Sequence, residues 1–217
     1  MSARINGPDF AARGLDDWNY ALRGIETRLV TGDFATGLAL VEAIGAAAEA
    51  ADHHPDLDLR YPHLDIRLSS HDVGGVTERD VALATTISRL AAEAGVPASR
   101  TARQRLEYAL DSPDHSRIVG FWAAVFDGQV GERGDEVVDP ADRFPALWFQ
   151  ESGSDEPRQR FHPDLWVAPE LVAERIGAAV AAGGSVVDDS QAPRFWVLAD
   201  PDGNRVCLCT WQDRPHG

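Results

Sequence analysis

Six residues whose types could do acid-base chemistry lie between Glu49 and Asp80: Glu49, Asp52, His53, His54, His71 and Asp80. An imidazole titrates near neutrality, so it can hand a proton to one atom and take one from another, and a neighbouring carboxylate can orient it. That is an acid-base site in outline. Tyr61, between the histidine pair and His71, is expected as core or pocket wall rather than as a reacting group. The competing reading is a metal site on His53, His54, His63 and His71, but histidines adjacent in sequence rarely face one ion together, and no cysteine is near.

The elements that must position these groups follow from periodicity. Between Asp33 and Asp52, Phe34, Leu38, Val41, Ile44 and Ala48 recur at three- and four-residue steps, which predicts an amphipathic helix capped by Asp33 or Thr31. Pro55 disfavours helical geometry at His54, so the helix should end at the histidine pair, with Glu49 and His53 on one face of its last turn. Leu57, Leu59 and Tyr61 precede a break at Pro62-His63, and then Leu64, Ile66 and Leu68 alternate with Asp65, Arg67 and Ser69 as a half-buried strand. His71 sits just past that strand, before a loop holding Gly74 and Gly75. Thr77 with Asp80 three residues on has the form of a capping box, opening a helix that runs to Gly95. Residues 1–14 show little periodicity and read as mobile or loosely docked, and 15–30 are mixed in period.

A linker is expected at 98–104, between a domain at 1–97 and another at 105–217. The second set of elements comprises strands near 106–110, 146–150, 161–167, 195–198 and 206–211, helices over 116–126 and 169–182, and a turn at 200–204. Strand, helix, strands is thus laid down twice, a repeat of element order rather than of sequence.

With 35 acidic against 20 basic residues and a net charge of -15, the chain has the wrong sign for nucleic acid or an anionic membrane, and neither is expected as a partner. No charged-then-apolar leader follows Met1 and no apolar run reads as bilayer-spanning, so a cytoplasmic protein is expected. Cys207 and Cys209, two apart in a strand, read as reduced thiols.

The ordered set Glu49, His53-His54-Pro55, Tyr61, His71, Asp80 resembles the pterin-4a-carbinolamine dehydratases. The run Leu68-Ser69-Ser70-His71-Asp72-Val73-Gly74-Gly75-Val76-Thr77-Glu78-Arg79-Asp80 carries the likeness through the third histidine into the next helix. The resemblance implies an α+β fold with a two-layer N-terminal domain, an antiparallel sheet with helices on one face. It also implies dehydration of 4a-hydroxytetrahydropterin to quinonoid dihydropterin without metal or cofactor, in pterin recycling, by a protein that associates as a dimer. By the same resemblance His53, His54 and His71 line the pterin pocket as catalytic groups, with His53 and His71 the first choices for the acid-base pair, and Glu49, Asp80 and Tyr61 bind or orient. The chain departs from the family pattern at Asp56-Leu57, where an acidic-aromatic pair is usual, and at Pro62-His63.

The second half is similar to the glyoxalase-like, vicinal-oxygen-chelate family, through Phe121-Trp122-Ala123-Ala124-Val125, His162-Pro163-Asp164-Leu165-Trp166-Val167, Gly183-Gly184 and Asp200-Pro201-Asp202-Gly203-Asn204. That likeness implies two βαβββ modules. By that likeness the family's ligand slots fall on Glu107, Gln150 or near it, His162 and Cys207, of which only His162 has the usual type. A domain that has lost metal chemistry, or binds a small ligand without it, is the expectation. Two rivals to the dehydratase follow: a glyoxalase or dioxygenase-like reaction in this half, or a pterin-binding scaffold without turnover.

Overall fold

The structure is a computed structural model that describes residues 3–126, 128–140, 145–152, 161–181, 183–199 and 205–214; the turn expected at 200–204 lies outside them. The chain forms two compact units, Met1–Gln104 with Trp211–Gly217, and Arg105–Thr210.

In the first unit, the alternation at Leu64, Ile66 and Leu68 becomes β4 (His63–Leu68), paired antiparallel with β2 (Gly24–Val30) and β3 (Asp56–Arg60). With β1 (Asn19–Ala21) the order is β1-β2-β4-β3, and β5 (Ala98–Ser99) adds to β2. Two helices, α2 (Phe34–Ala51) and α3 (Glu78–Glu93), cover the face carrying Ile25, Leu29, Leu64, Ile66 and Leu68, and Leu40, Ile44, Leu83 and Ile87 complete the core. Asp33 caps α2 by accepting from the Thr36 amide at 2.7 Å. Gly37 is needed where α2 meets β3: a Cβ there would lie 2.4 Å from Leu59 Cδ1.

Three expectations change. Contrary to the reading of no bilayer-length apolar run, α2 has 18 residues at mean hydropathy 1.4, enough by length and composition to span one; here Leu40, Ile44 and Ala48 spend that hydrophobicity on the core. Of residues 1–14, expected as mobile or loosely docked, the described ones are docked: α1 (Gly7–Ala11) carries Phe10 into the core, beside Ile5, whose amide donates to Val76 O at 2.7 Å. Residues 98–104, expected to link, instead supply β5 and Arg103, which reaches Asp65 at 2.6 Å and Glu26 at 3.6 Å.

Arg103 belongs to a charge cluster on the helix-free face of this sheet. Arg28 grips Asp65 with two parallel bonds of 2.6 and 2.7 Å, the geometry that makes Arg-carboxylate pairs strong. Burial alone would raise the Asp65 pKa, but the hydrogen bonds and charges of Arg28 and Arg103 outweigh it and hold the carboxyl below its ordinary value. A depressed carboxyl contributes stability above its unfolded pKa of about 4, and that contribution is lost as pH falls through the lower folded value. Asp65→Asn, which removes the carboxylate shared by Arg28 and Arg103, should therefore cost about 3 kcal/mol at pH 7 and should make the loss of stability below about pH 4 shallower. Denaturant unfolding at several pH values checks both.

In the second unit, β6 (Arg105–Ser112), α4 (Val119–Phe126), β7 (Gln129–Val130), β8 (Glu136–Val138) and β9 (Leu147–Glu151) form one strand-helix-three-strand module. β10 (Phe161–Trp166), α5 (Val172–Ala181), β11 (Ser185–Asp188), β12 (Phe195–Ala199) and β13 (Arg205–Cys209) repeat it. The two join through antiparallel β6 and β10 in one eight-stranded sheet, ordered β11-β12-β13-β10-β6-β9-β8-β7, which reads the same module-wise from either edge. Leu110, Leu147 and Phe149 pack under Ile118, Val119 and Trp122, while Leu165, Trp196 and Leu208 pack with Val172 and Ile176. One face of the sheet is thereby spent on the helices. The opposite face is polar.

Candidate active site

His53 owes its position to the residue before it. The last turn of α2 closes on Asp52, whose left-handed backbone (φ 47°) ends the helical winding, and the His53 amide donates back to Ala48 O at 3.2 Å. The ring is thus turned inward, 7% exposed, instead of continuing the face of Glu49. There its Nε2 meets Asp80 Oδ1 at 2.8 Å.

Asp80 is fully buried and is the junction of the site. Its Oδ2 accepts from Ser70 Oγ at 2.7 Å, from the Thr77 amide at 2.7 Å and from Thr77 Oγ1 at 3.2 Å. The capping-box reading and the histidine-orienting reading are therefore both realised, one on each carboxylate oxygen. Because the carboxylate accepts at both oxygens, His53 Nε2 is the donor in its pair, and Nδ1 is the ring nitrogen left for other chemistry.

Around this core lie exposed groups. Ser70 binds the same carboxylate as His53, so its neighbour His71, exposed at the start of the loop, is brought to the same locality. The loop is held by the Ser70–Gly75 bridge and turns at Gly74, whose φ of 60° suits glycine. Asp72 pairs with Arg79, and that hydrogen bond holds its carboxyl below the ordinary value. Glu49 pairs with His54 at 3.1 Å, not with His53 as the helical spacing implied. Both side chains are largely in solvent.

Tyr61 is not brought to these groups. Asp56, at the start of β3, pairs with Arg67 near the end of β4, so the histidine pair and His71 share one end of the sheet; Tyr61 follows Arg60 at the other end and is 72% exposed. Five residues of strand separate the two ends, about 17 Å. Accordingly, Tyr61→Ala should leave any reaction at the His53–Asp80 pair within about twofold of the unaltered chain, and Glu49→Ala should change unfolding free energy by less than about 0.5 kcal/mol, as exposed ion pairs do. Steady-state turnover and denaturant titration measure these.

The polar face of the second unit is ordered by register. Glu107 on β6 stands opposite Asp164 on β10, which stands opposite Cys207 on β13. The neighbouring row holds Ala109, His162 and Trp148, and Gln150 lies a further row away beside Asp111. The Trp148 indole donates to Asp164 Oδ2 at 3.0 Å, and Trp166 donates to Glu107 Oε2 at 2.8 Å. His162 Nε2 lies 3.5 Å from Asp164 Oδ1 and its ring meets Trp148 edge-on. Of the five tryptophans from Trp122 onward, Trp148 and Trp166 face this surface, whereas Trp122 and Trp196 pack under the helices and Trp211 lies against Gly7 in the first unit.

Comparison with known proteins accounts for both units. The family described as Pterin 4 alpha carbinolamine dehydratase matches residues 9–90. A protein of Aquifex aeolicus named "Putative pterin-4-alpha-carbinolamine dehydratase" is 37% identical over 79 residues, which are 36% of this chain and 80% of that protein. The chain belongs to the pterin-4-alpha-carbinolamine dehydratase family. A second protein so named, from Acidobacterium capsulatum, is 41% identical over 76 residues, covering 35% of this chain and 83% of its own. Among solved structures, one titled a transcriptional coactivator/pterin dehydratase from Brucella melitensis shares 29% identity, with a TM-score of 0.39, over 41% of this chain and 99% of that one. Residues 107–209 match the family described as Glyoxalase-like domain, so this dehydratase-family chain carries a second, glyoxalase-like region.

Two residues that hold the geometry around His53 and His71 are not singled out by the sequence. Ser70 was legible only as part of the matching run, and its bond to Asp80 depends on the loop from 70 to 75 folding back. Asp72, next to His71, carries the ion pair that fixes the loop to α3.

Proposed function

We propose that this chain dehydrates 4a-hydroxytetrahydropterin to quinonoid dihydropterin by histidine acid-base catalysis in its N-terminal unit. The observation that carries the reading is the buried His53–Asp80 pair at 2.8 Å, with exposed histidines immediately beside it. Loss of water from C4a requires one proton delivered to the departing oxygen and one removed from N5, so the protons balance and no redox partner enters. His53 Nδ1, freed by the commitment of Nε2 to Asp80, takes the N5 proton. His71, with His54 in support, supplies the proton to the hydroxyl from the solvent side, where it can be replenished. Each such transfer contributes about 10²–10⁴ in rate.

Association as a dimer belongs to the same reading, supported by β3, an edge strand with no partner on its outer side among the described residues. A cytoplasmic setting fits two cysteines, Cys207 and Cys209, that form no disulfide. The test is stopped-flow absorbance on the full chain with 4a-hydroxytetrahydropterin generated in situ. Quinonoid dihydropterin should appear at a rate rising linearly with protein concentration, and a rate equal to buffer alone would refute the assignment.

A further inference from the structure

We propose that Arg4 is a positioning residue for His71, acting through a brace that residues 4–7 and Trp211 build against the loop from Ser70 to Val76. It rests on the assignment of His71 as proton donor in the proposed dehydration. Asp72 already ties this loop to α3 through Arg79. A second tie comes from residues 4 and 5. Arg4 Nε donates to Val73 O, and the Ile5 amide donates to Val76 O at 2.7 Å. A Cβ added at Gly74 would lie 3.2 Å from Arg4 Nη2, and one at Gly75 would lie 3.4 Å from Arg4 Cδ, so the guanidinium and its stem run along the turn.

Arg4 reaches the loop because the residues after it are fixed. Asn6 caps α1 by accepting from the Asp9 amide at 2.8 Å, Phe10 enters the core, and the Tyr20 hydroxyl donates to Ile5 O at 3.4 Å. Trp211 then seats on Gly7: a Cβ there would fall 2.7 Å from the indole Cε3, so only glycine leaves room for the ring. Arg4, Ile5, Gly7 and Trp211 all lie outside residues 9–90, the stretch that matches the dehydratase family. The brace is thus built from residues the matched stretch does not include. Its effect is local. A loop with two adjacent glycines, Gly74 at φ 60°, has much conformational freedom to lose, and a charge-assisted bond to the Val73 carbonyl narrows it. Misplacing a reacting group by about 1 Å can cost about 10² in rate, so a tie two residues from His71 bears on turnover without touching substrate.

The test is hydrogen exchange on the full chain, read at the Val73, Gly74 and Gly75 amides, which donate within the loop to Ser70 O, His71 O and Ser70 O, alongside steady-state turnover. In Arg4→Ala these amides should exchange at least about tenfold faster, kcat should fall about tenfold, and KM should stay within about twofold, because the donor acts in the chemical step rather than in binding. A merely structural loss would lower the unfolding midpoint and spare the kcat of the folded protein. Trp211→Ala should speed the same amides. Arg13→Ala, which removes the ion pair from the end of the same segment to Glu78 without touching the loop, should alter neither exchange nor kcat. Loop exchange unchanged in Arg4→Ala or in a folded Trp211→Ala, faster exchange in Arg4→Ala with kcat unchanged, or an equal effect in Arg13→Ala would each overturn the brace. Arg4, whose side chain is exposed, decides the matter should Trp211→Ala fail to fold by circular dichroism. An unaltered chain without turnover would instead refute the dehydration and with it the role of Arg4 in rate, while exchange would still decide whether the loop is braced.

Discussion

His53→Gln should lower the rate of pterin dehydration by about 10²–10⁴ while leaving the unit folded. Glutamine can still present an amide N–H towards Asp80 Oδ1, so the buried carboxylate keeps a donor and the cost in stability stays near 1 kcal/mol. What it lacks is a second ring nitrogen able to carry a proton in the neutral range. Stopped-flow turnover beside thermal unfolding separates the two effects. A variant turning over as fast as the unaltered chain would remove His53 from the chemistry.

Asp80→Asn should damage both folding and rate. The carboxylate accepts four hydrogen bonds on two oxygens, and an asparagine must put its NH₂ on one side or the other. Placed towards Thr77 and Ser70, it sets donor against donor at the start of α3; placed towards His53, it forces Nε2 to accept and moves the ring proton to Nδ1, the nitrogen proposed as base. The first arrangement is expected to cost about 2–3 kcal/mol in stability, from the cap and the buried donors left unpaired; the second keeps an acceptor for the cap and puts its cost on the rate. Turnover should fall at least about tenfold; an aspartate holding a histidine tautomer is worth about 10⁴ in a serine-protease triad. Equilibrium denaturation and the turnover assay would report these. A variant with the cap's stability loss but full activity would confine Asp80 to the cap.

The parts of the fold legible in the sequence were those where one periodicity ran uninterrupted: α2, β4 and α3 follow directly from their apolar steps and from the Thr77–Asp80 box. The β1–β2 hairpin was not, because its turn places Leu22 and Arg23 at φ 46° and 62°, positions where glycine or asparagine would ordinarily give the signal. Strands β7 and β8 are two and three residues long, and β11 is exposed throughout, so none offered an alternation to read. In the site, helical spacing paired Glu49 with His53, but a single left-handed residue, Asp52, rotated the chain out of that spacing and gave Glu49 to His54. Asp164 is legible only in part. Its place beside His162 is local and readable, but its partnership with Cys207 rests on the register of two strands some 40 residues apart, which no local pattern encodes.

The account turns on Asp80 acting through His53. The most direct measurement is the dehydration rate of His53→Gln, Asp80→Asn and the double variant, taken as a cycle under conditions where all three are folded. If the carboxylate serves the ring, the double variant should be no more than about threefold slower than His53→Gln alone, since residues working as one unit are not additive. A double variant slower by the full product of the two single losses would mean that the pair acts independently, and would contradict the account.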